Sequence, residues 1–484
     1  MLSKERHQTA TGPMHLAAAD WFADNDLSLR AEHLEQAGHE GAADSYRVAA
    51  EAQVSALRFE NARALVERGL TLTTDRATLF ALNSMLGELL RELGDPESSL
   101  KAYQEALSRN GSEPERCLAL LGIAEALRII ERIDEALDLL DEAQPIADAH
   151  SLSEVLMRLH HLRGNLLFPK GDIIGCEAGH RQSIFFAKEM GSAEGEARGL
   201  GGLGDAAYVA GRMQTSHDLL SKCVDICREH GFRRTEVANA AQASQTKIYL
   251  LELRGAYEFA KQTIKASHRV GHDRAELNAI AACLFAAVEL SDWSAAEKYG
   301  DHALDLGQKL GSVRFSQEAT RTLAVQMNAM GRSDEALSMI RTTIAEAREL
   351  GFSFGGARML GNLSRITQNS VEQDRALAEA EAIIQSGCVG HNQPFFYRDA
   401  IEVMVDRGDW DEVIRYADAL AAFPSGETLP WSEFYAARAR GLAAWGRGDR
   451  DNDAMARLTN LAEEAQRIGL SSAIPAIKRA LSAG

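Results

Sequence analysis

Gly211-Arg-Met-Gln-Thr-Ser216 and Cys227-Arg-Glu-His-Gly231 are the two phrases of the sequence that decide the fold. The first begins with a glycine, the second ends with one, and no proline lies between them. A glycine at the end of a helical run accepts the left-handed backbone conformation, and basic residues before it complement the helix dipole. The two phrases therefore predict a turn, then a helix, then a helix end.

Both phrases recur along the chain at a nearly constant interval. The helix-ending glycine occurs five times in succession, at positions 191, 231, 271, 311 and 351. The turn phrase has eleven copies, of which the weaker ones begin at Leu57, Val371, Gly408 and Gly448. Self-similarity at a fixed period of roughly 40 residues is typical of helical solenoids. The clearer copies begin at Gly94, Glu131, Gly171, Gly211, Gly255, Ser291 and Gly331.

Small side chains occupy two fixed positions after each turn, as Ala136 and Ala143 do. Because seven residues make two helical turns, both positions share one face, and small residues there let a neighbouring helix approach closely. Each copy thus predicts a hairpin of two antiparallel helices, which must stack on its neighbours to bury both faces. We expect an all-α protein, a right-handed superhelical solenoid of about ten to eleven helix hairpins.

The repeat resembles the tetratricopeptide repeat (TPR), through Leu86-Gly87, Gly94, Tyr103 and Ala106, and again through Leu203-Gly204-Asp205, Tyr208 and Gly211. The period is longer than the usual length of about 34 residues. This longer form resembles the repeat regions of bacterial STAND signalling ATPases of the maltose-regulator type and of multidomain class III adenylate cyclases. The resemblance covers about residues 41 to 470, and it implies that partners bind to the first helix of each hairpin.

The first forty residues carry a second resemblance. Ala19-Asp-Trp-Phe22, Leu29-Arg-Ala-Glu-His-Leu34 and Ala37-Gly38 resemble the segment that joins the ATPase part of those proteins to their repeats. The sequence contains no Gly-x4-Gly-Lys-Ser/Thr phosphate loop and has no room for a cyclase domain, so we expect no enzymatic activity. The expected divisions are a linker or cap at 1–40, the repeats at 41–470 and a capping helix at 471–484.

Composition and charge argue against several classes of protein. The 484 residues are 45% hydrophobic and carry a net charge of −18, which disfavours binding to nucleic acids or anionic membranes and leaves only a local basic groove as an alternative. The apolar run Ala279–Val288 is too short to span a bilayer. Six cysteines are too few for a disulfide scaffold. We expect a cytoplasmic protein, with homo-oligomerisation left open.

Three motifs have a structural and a functional interpretation. Gly199-Leu-Gly-Gly-Leu-Gly204 matches a dinucleotide loop in spelling, but its helical context favours helix packing. Cys223 and Cys227, with His217 and His230 nearby, could bind zinc, although Cys223 stands at a small-residue contact position. We expect neither a cofactor nor a metal. A cluster of aromatic residues is either the core of the last hairpins or a partner pocket; it comprises Phe395, Phe396, Tyr397, Trp431, Phe434, Tyr435 and Trp445.

Polar residues on the first helix of each hairpin are the candidate binding surface. Asn, Arg and Tyr side chains there suit an extended peptide or a protein partner, whereas ordinary solvated surface is the alternative for any single residue. The leading hypothesis is a non-catalytic scaffold or sensor in bacterial signalling or transcription regulation; the second is a sensor region whose ATPase or cyclase activity lies elsewhere. The candidates are Glu88, Arg91, Glu125, Arg128, His161, Asn165, Asp205, Tyr208, Tyr249, Glu252, Arg321, Asn328, Arg358, Tyr435 and Arg438.

Overall fold

A computed structural model describes residues 2–350, 352, 355–387, 389–423 and 426–482, with side chains from residue 11 onwards except at position 350. All regular structure in these ranges is helical, as 25 α-helices and two short 3₁₀-helices. The chain divides into two compact units, Met1–Gly195 (unit 1) and Glu196–Gly484 (unit 2). The all-α prediction is confirmed.

Unit 1 is a succession of helices in which each packs against the next along the chain. From α3 onwards the helices pair into hairpins whose first member has an odd number and whose second has an even number. The helices are α1 Leu2–Phe22, α2 Leu27–Gln36, α3 Ala42–Ser55, α4 Phe59–Leu70, α5 Arg76–Glu92, α6 Pro96–Ser108, α7 Glu113–Ile129, α8 Ile133–Ala149, α9 Ser153–Leu167 and α10 Ile173–Glu189.

Unit 2 continues the alternation, and α11 spans the division between the units. Two 3₁₀-helices, η1 Gly390–Asn392 and η2 Ser471–Ala473, interrupt the pattern near the later hairpins. The helices are α11 Ala193–Val209, α12 Met213–His230, α13 Arg233–Tyr249, α14 Leu253–Arg269, α15 Asp273–Glu289, α16 Trp293–Lys309, α17 Val313–Ala329, α18 Ser333–Leu350, α19 Gly356–Ile366, α20 Ser370–Gln385, α21 Gln393–Arg407, α22 Trp410–Ala422, α23 Pro430–Gly446, α24 Asn452–Ile468 and α25 Ile474–Ser482.

The turns follow the sequence frame, with two corrections. The turn predicted to begin at Val371 is wrong, because Val371 lies inside α20. The helix-ending glycines at positions 191, 231, 271 and 311 have φ between 61° and 80°, the left-handed conformation that the frame requires; Gly351 lies outside the described residues. The turn predicted at Gly255 is wrong, because Gly255 lies inside α14 and Leu251 makes the turn with φ 62°. With this correction the turns at Gly211, Leu251 and Ser291 are evenly spaced. Packing therefore fixes the register even where a non-glycine residue bears the backbone strain.

Close contact within each hairpin depends on the small residues. A Cβ on Gly204 would lie 2.6 Å from Leu220, and one on Gly87 would lie 2.7 Å from Tyr103. At these contacts a serine of the even helix donates to the glycine carbonyl of the odd helix: Ser216 Oγ to Gly204 O at 2.7 Å, with the same bond in the α5–α6 hairpin. The prediction that small residues mark the helix contacts is confirmed.

Each unit has its own apolar core between helices. In unit 1 the main core lies between α6 and α10, around Tyr103, Leu121 and Leu159. In unit 2 the largest core joins α11–α15 to α17–α23 and includes Phe395, Phe396 and Trp431, each fully buried. Their burial favours the core interpretation of the aromatic cluster over a partner pocket.

The expected divisions at residues 40 and 470 stay predictions. Helices α1 and α2 occupy the first segment, and α25 occupies the last. Among the described residues, no helix has the length and apolar character needed to cross a bilayer.

Candidate functional site: the polar ladder on the odd-numbered helices

The candidate surface consists of the polar residues named from the sequence on the odd-numbered helices and at the ends of those helices. We call it the odd-helix surface. Successive odd-numbered helices contact one another, as α5 contacts α7 and α13 contacts α15. Because their contacts repeat at nearly one hairpin spacing, a polar side chain on one odd helix can reach its counterpart on the next. This arrangement forms a polar ladder.

In unit 1 the ladder is built around Glu125 on α7. Arg91 of α5 and Arg158 of α9 both donate to its carboxylate, and the Arg158 Nη2–Glu125 Oε1 distance is 3.0 Å. Glu88 lies 3.8 Å from the Arg91 guanidinium and keeps an exposed side chain. The structure thus brings together three of the residues named from the sequence, and it adds Arg158.

The other unit 1 candidates are less closely linked. Arg128 is exposed near the C-terminal end of α7, and Asn165 is half-buried on α9. The His161 ring centroid lies 5.2 Å from that of His180 on α10, so His161 is turned toward its hairpin partner. None of these placements tests a partner-binding role, which stays a prediction.

In unit 2 the ladder begins with two tyrosines. Tyr208 of α11 donates to Gln245 Oε1 at 2.9 Å, and its ring lies 6.0 Å from that of Tyr249 on α13. Tyr249 donates to the carbonyl of His391 in η1 at 3.0 Å, across 142 residues of sequence. Both tyrosines are buried, and burial raises the pKa of Tyr208 to about 12.

The next polar contact of the ladder joins α17 to α19 through Arg321. Its guanidinium donates to Glu318 at 2.8 Å and to Asn362 Oδ1 at 2.8 Å. Arg358 lies on the other side of Glu318, at 3.7 Å. Burial opposes ionisation of Glu318, but Arg321 and Arg358 outweigh it and lower its pKa to about 2. Burial and the neighbouring Arg358 lower the pKa of Arg321 to about 10.

A buried network centred on Glu289 continues the ladder. It joins helices of unit 2 that are distant in sequence, and we call this joining the closure of unit 2. Arg398 of α21 donates to Glu289 at 2.7 Å, 109 residues away in sequence, and also to the adjacent Asp399. Ser472 of η2 donates to the same glutamate at 2.8 Å, across 183 residues, and the Tyr435 hydroxyl lies 3.4 Å from it. We call these five residues the Glu289 network.

One further contact, that of Glu427, supports the closure, and Arg438 adds contacts between neighbouring hairpins. Arg438 of α23 is fully buried and donates to Glu402 at 2.6 Å and to the carbonyl of Ala473 at 2.8 Å. Glu427 accepts hydrogen bonds from the backbone N–H groups of Gln214 and Thr215 at the start of α12, which precede it by 213 and 212 residues. Helices α13 and α23 also touch, and η2 touches α15.

Asp205 is the exposed acid of the unit 2 ladder. It makes no hydrogen bond or ion pair with the residues that the structure describes, and its side chain is exposed. Protein nevertheless surrounds the carboxyl closely enough that desolvation raises its pKa to about 7. An exposed acid whose pKa is raised in this way is a candidate contact for a polar partner.

Five residues named from the sequence are engaged within the protein interior. Tyr208, Tyr249, Arg321, Tyr435 and Arg438 are buried and hydrogen-bonded to other parts of the chain. A partner therefore cannot contact them in this state.

Two more of the named residues take part in local contacts near the hairpin turns. Glu252 follows the end of α13 in the turn, where it pairs with Lys247 at 2.5 Å. Asn328 lies near the end of α17 and accepts from Ser333 at 2.9 Å. Both side chains therefore already have a partner within their own hairpin.

Sequence reasoning missed several residues of the ladder. Asn362 follows Arg321 by 41 residues, about one repeat, and Glu318 precedes Arg321 by one helical turn. The repeat period could therefore have identified Asn362, and the helical period Glu318. No such signal exists for Glu289, because its partners lie 109 to 183 residues away. The residues that sequence reasoning missed are Arg158, Glu289, Glu318, Asn362, His391, Arg398, Asp399 and Glu402.

The zinc hypothesis finds no cluster to support it. Within the described ranges, no group of three or more His, Cys, Asp or Glu side chains is placed to hold a metal ion. Cys223 is buried against the hairpin contact, and the neighbouring Cys227 thiol and burial both raise its pKa. The Gly199–Gly204 motif lies within α11, not between a strand and a helix.

Comparisons with known proteins bear on the fold. No protein-family model and no curated protein matches the sequence. Among solved structures, a STAND signal transduction ATPase with a tetratricopeptide repeat sensor from Pyrococcus horikoshii matches 70% of this chain with a TM-score of 0.54 and 13% identity. The chain spans about half of that protein, 53% of its length.

A Rap protein complexed with competence and sporulation factor matches 80% of this chain and 99% of its own, with a TM-score of 0.50 and 13% identity. At such identities the likeness concerns the fold alone. Together with the hairpin succession, the turn glycines and the small-residue contacts, these comparisons show that the chain is a TPR-like array of helix hairpins.

Proposed function

We propose that this protein is a non-catalytic sensor or scaffold that binds a peptide or protein partner on its odd-helix surface, in bacterial cytoplasmic signalling or transcription regulation. The polar ladder is the observation that carries the proposal. A surface needed only for stability would favour apolar contacts, whereas this one presents carboxylates, arginines and tyrosines in a regular register.

The accessible part of the ladder supports an extended partner. In unit 1, Glu88 and Arg128 are exposed, and Arg91 and Glu125 are half-buried; in unit 2, Asp205 is exposed. Regularly spaced charged and amide groups match the repeating donors and acceptors of a peptide backbone and its side chains. The similar fold of a Rap protein solved with competence and sporulation factor makes a peptide ligand a reasonable first class to test.

The mechanism would be differential binding. Each hairpin contacts mainly its neighbours, so small rotations between hairpins can add along an array. A partner that bridges several odd-numbered helices favours the spacing it fits best, and it shifts the population toward that spacing. The signal would then be a change in the surface that the array presents to a second molecule.

The test is partner recovery from native lysate with charge-swapped variants. Glu88→Lys combined with Arg128→Glu reverses two exposed charges of the odd-helix surface without changing net charge. Glu105→Lys combined with Lys101→Glu makes the same swap on α6, where both residues are exposed. We expect partner binding to weaken at least about tenfold in the first variant, and to be unchanged in the second. Equal binding by both variants would contradict the proposal.

A second candidate function is a sensor region that works with an ATPase or adenylate cyclase on another chain or domain. The structural likeness to a STAND protein with a TPR sensor favours it. This candidate predicts that an ATPase or cyclase is encoded beside this gene, and that adding the present chain changes its turnover several-fold. Unchanged turnover would count against it.

A further inference from the structure

Four arginine side chains lie in the interior of unit 2, and the guanidinium groups of three of them have hydrogen-bond partners within the chain. Arg321, Arg398 and Arg438 each donate two or more hydrogen bonds to carboxylate, amide or carbonyl oxygens of the chain. Buried guanidinium groups normally have such partners, because an unmatched charge in a poorly solvated interior is costly. These three arginines are therefore structural.

Arg358 is the exception. Its guanidinium carbon lies 4.1 Å from the centroid of the Phe395 ring and 5.0 Å from that of Phe285. Its nearest carboxylate, Glu318, is 3.7 Å away, beyond hydrogen-bonding distance, and Arg358 donates no hydrogen bond to any residue that the structure describes. The side chain is 12% exposed. The aromatic rings thus hold the guanidinium in place while its N–H donors remain available.

The surroundings carry surplus positive charge. Arg314, Arg321 and Arg358 lie within electrostatic reach of Glu318, which is already shared between Arg321 and Arg358. Burial and the nearby Arg274 lower the pKa of Arg314, a sign that the region disfavours more positive charge. A bound anion would relieve this imbalance.

The geometry of the donors selects the kind of anion. A guanidinium presents parallel N–H groups that match a planar carboxylate in two hydrogen bonds. A phosphate dianion would need more positive charge than remains after Glu318, and it would suffer repulsion from that ionised carboxylate. The ring of Phe285, which is partly exposed and lies 4.8 Å from that of the fully buried Phe395, also favours a ligand with an apolar part beside its charge.

We propose that Arg358 anchors a carboxylate-bearing ligand in the interior of unit 2. The proposal deepens the binding function given above and rests on it. The carboxylate takes the free N–H donors of Arg358, and the apolar part of the ligand lies against the partly exposed ring of Phe285. The same chemistry occurs in small organic acids and at the C-terminus of a peptide, and two arms of the experiment separate these sources.

The experiment is calorimetric titration of the full chain with benzoate and with benzamide, which has nearly the same shape and no charge. We expect benzoate to bind measurably more tightly than benzamide to the wild type. Arg358→Gln should weaken benzoate binding about tenfold or more, the loss of one charge-assisted pair, and leave benzamide binding unchanged. Arg358→Lys, which keeps the charge but not the planar donor pair, should fall between the two.

Arg365→Gln is the matched control. Arg365 lies two turns further along α19, and its charge is already paired with Asp399 at 3.3 Å. This variant should bind benzoate as the wild type does, and the circular dichroism spectrum of every variant should show that it is folded. Benzoate binding no tighter than that of benzamide in the wild type, or full benzoate affinity in folded Arg358→Gln, would overturn the proposal.

The two sources are separated with trialanine, used with a free carboxyl terminus and as the C-terminal amide. Tighter binding of the free-acid form than of benzoate would identify a peptide terminus as the ligand. Tighter binding of benzoate would identify a small organic acid. Loss of benzoate binding with intact partner recovery in Arg358→Gln would support this site and place the partner of the proposed function elsewhere. The reverse result, loss of partner recovery with full benzoate affinity, would reject this site alone.

Discussion

Units 1 and 2 are built from the same hairpin, yet they use their polar ladders differently. In unit 1 the ladder around Glu125 joins neighbouring hairpins, at separations of 33 and 34 residues, and its members are partly accessible. In unit 2 the Glu289 network joins hairpins 109 to 183 residues apart, and Glu289 and Asp399 are fully buried. The same repeat can therefore support either an open surface or a closed interior.

Neutralising the central glutamate of each ladder should give the largest difference between the units. Glu289→Gln leaves Arg398 buried beside Asp399 alone, and we expect a loss of about 3 kcal/mol in the free energy of unfolding. Glu125→Gln acts on pairs that are partly exposed, and we expect about 1 kcal/mol. Urea denaturation measures both losses, and hydrogen exchange assigns each to its unit. Equal losses would remove the distinction between the two ladders.

Acidification should affect both units by way of one buried histidine in each. Burial lowers the pKa of His180 in unit 1 to about 4, and burial with the nearby arginines lowers that of His391 in unit 2 to about 3. Because the unfolded chain protonates these rings near pH 6.5, stability is full above that pH and falls as pH drops toward the folded pKa. From pH 7 to 5 we expect a loss on the order of 2 kcal/mol per histidine.

The check is urea denaturation at both pH values for His180→Gln and His391→Gln. Each substitution should abolish the loss of unfolding free energy that its histidine causes between pH 7 and pH 5. Hydrogen exchange should locate that change in the unit that carries the residue. An unchanged pH dependence in either variant would show that its histidine is not held neutral.

The hairpin contact itself should contribute equally in the two units. Ser99 donates to Gly87 O at 2.6 Å in unit 1, and Ser216 donates to Gly204 O at 2.7 Å in unit 2. Both bonds are buried and have the same sequence spacing, so Ser→Ala at either position should cost about 1 kcal/mol of unfolding free energy. Thermal or urea unfolding measures this. A large disparity would mean that the two units do not share one hairpin geometry.

Asp205→Asn should have the smallest effect, and in the opposite direction. The raised pKa means that the folded state disfavours the ionised carboxyl, so the penalty is absent below about pH 4 and complete above pH 7. Because the side chain is exposed, we expect a gain of under about 1 kcal/mol at pH 8 and none at pH 4. Urea denaturation at the two pH values tests this, and a loss at pH 8 would show that the carboxylate has a stabilising partner.

The features of the fold that repeat along the chain could mostly be predicted from the sequence. The left-handed glycines and the small residues at 87 and 204 predicted the turns and the helix contacts, because local geometry and nearest-neighbour packing determine both. The error at Gly255 arose because glycine composition was weighed above spacing, whereas Leu251 keeps the frame of the repeat. Of the candidate site, Arg91, Glu125 and Arg321 were named from their register as partner-binding positions, which stays a prediction; their contacts with neighbouring helices were not predicted.

The closure of unit 2 could not be predicted in this way. A one-dimensional repeat model relates each hairpin to its neighbours and contains no information about which distant hairpins will meet. Glu289 is one acid among 70 acidic residues, and nothing in its own phrase distinguishes it. Tyr249 and Tyr435, which were predicted to lie in a binding groove, are engaged by that same closure through His391 and Glu289.

The contact between Glu289 and Ser472 also affects how the protein is made. Unit 1 can complete its neighbouring contacts as each hairpin leaves the ribosome, but Glu289 waits for a partner synthesised 183 residues later. At ordinary elongation rates that interval is roughly ten to forty seconds. During this interval the Glu289 carboxylate, which is buried in the folded protein, stays hydrated. Synthesis therefore imposes an order on the chain, in which the first unit can mature early and the second becomes complete only when its late residues arrive.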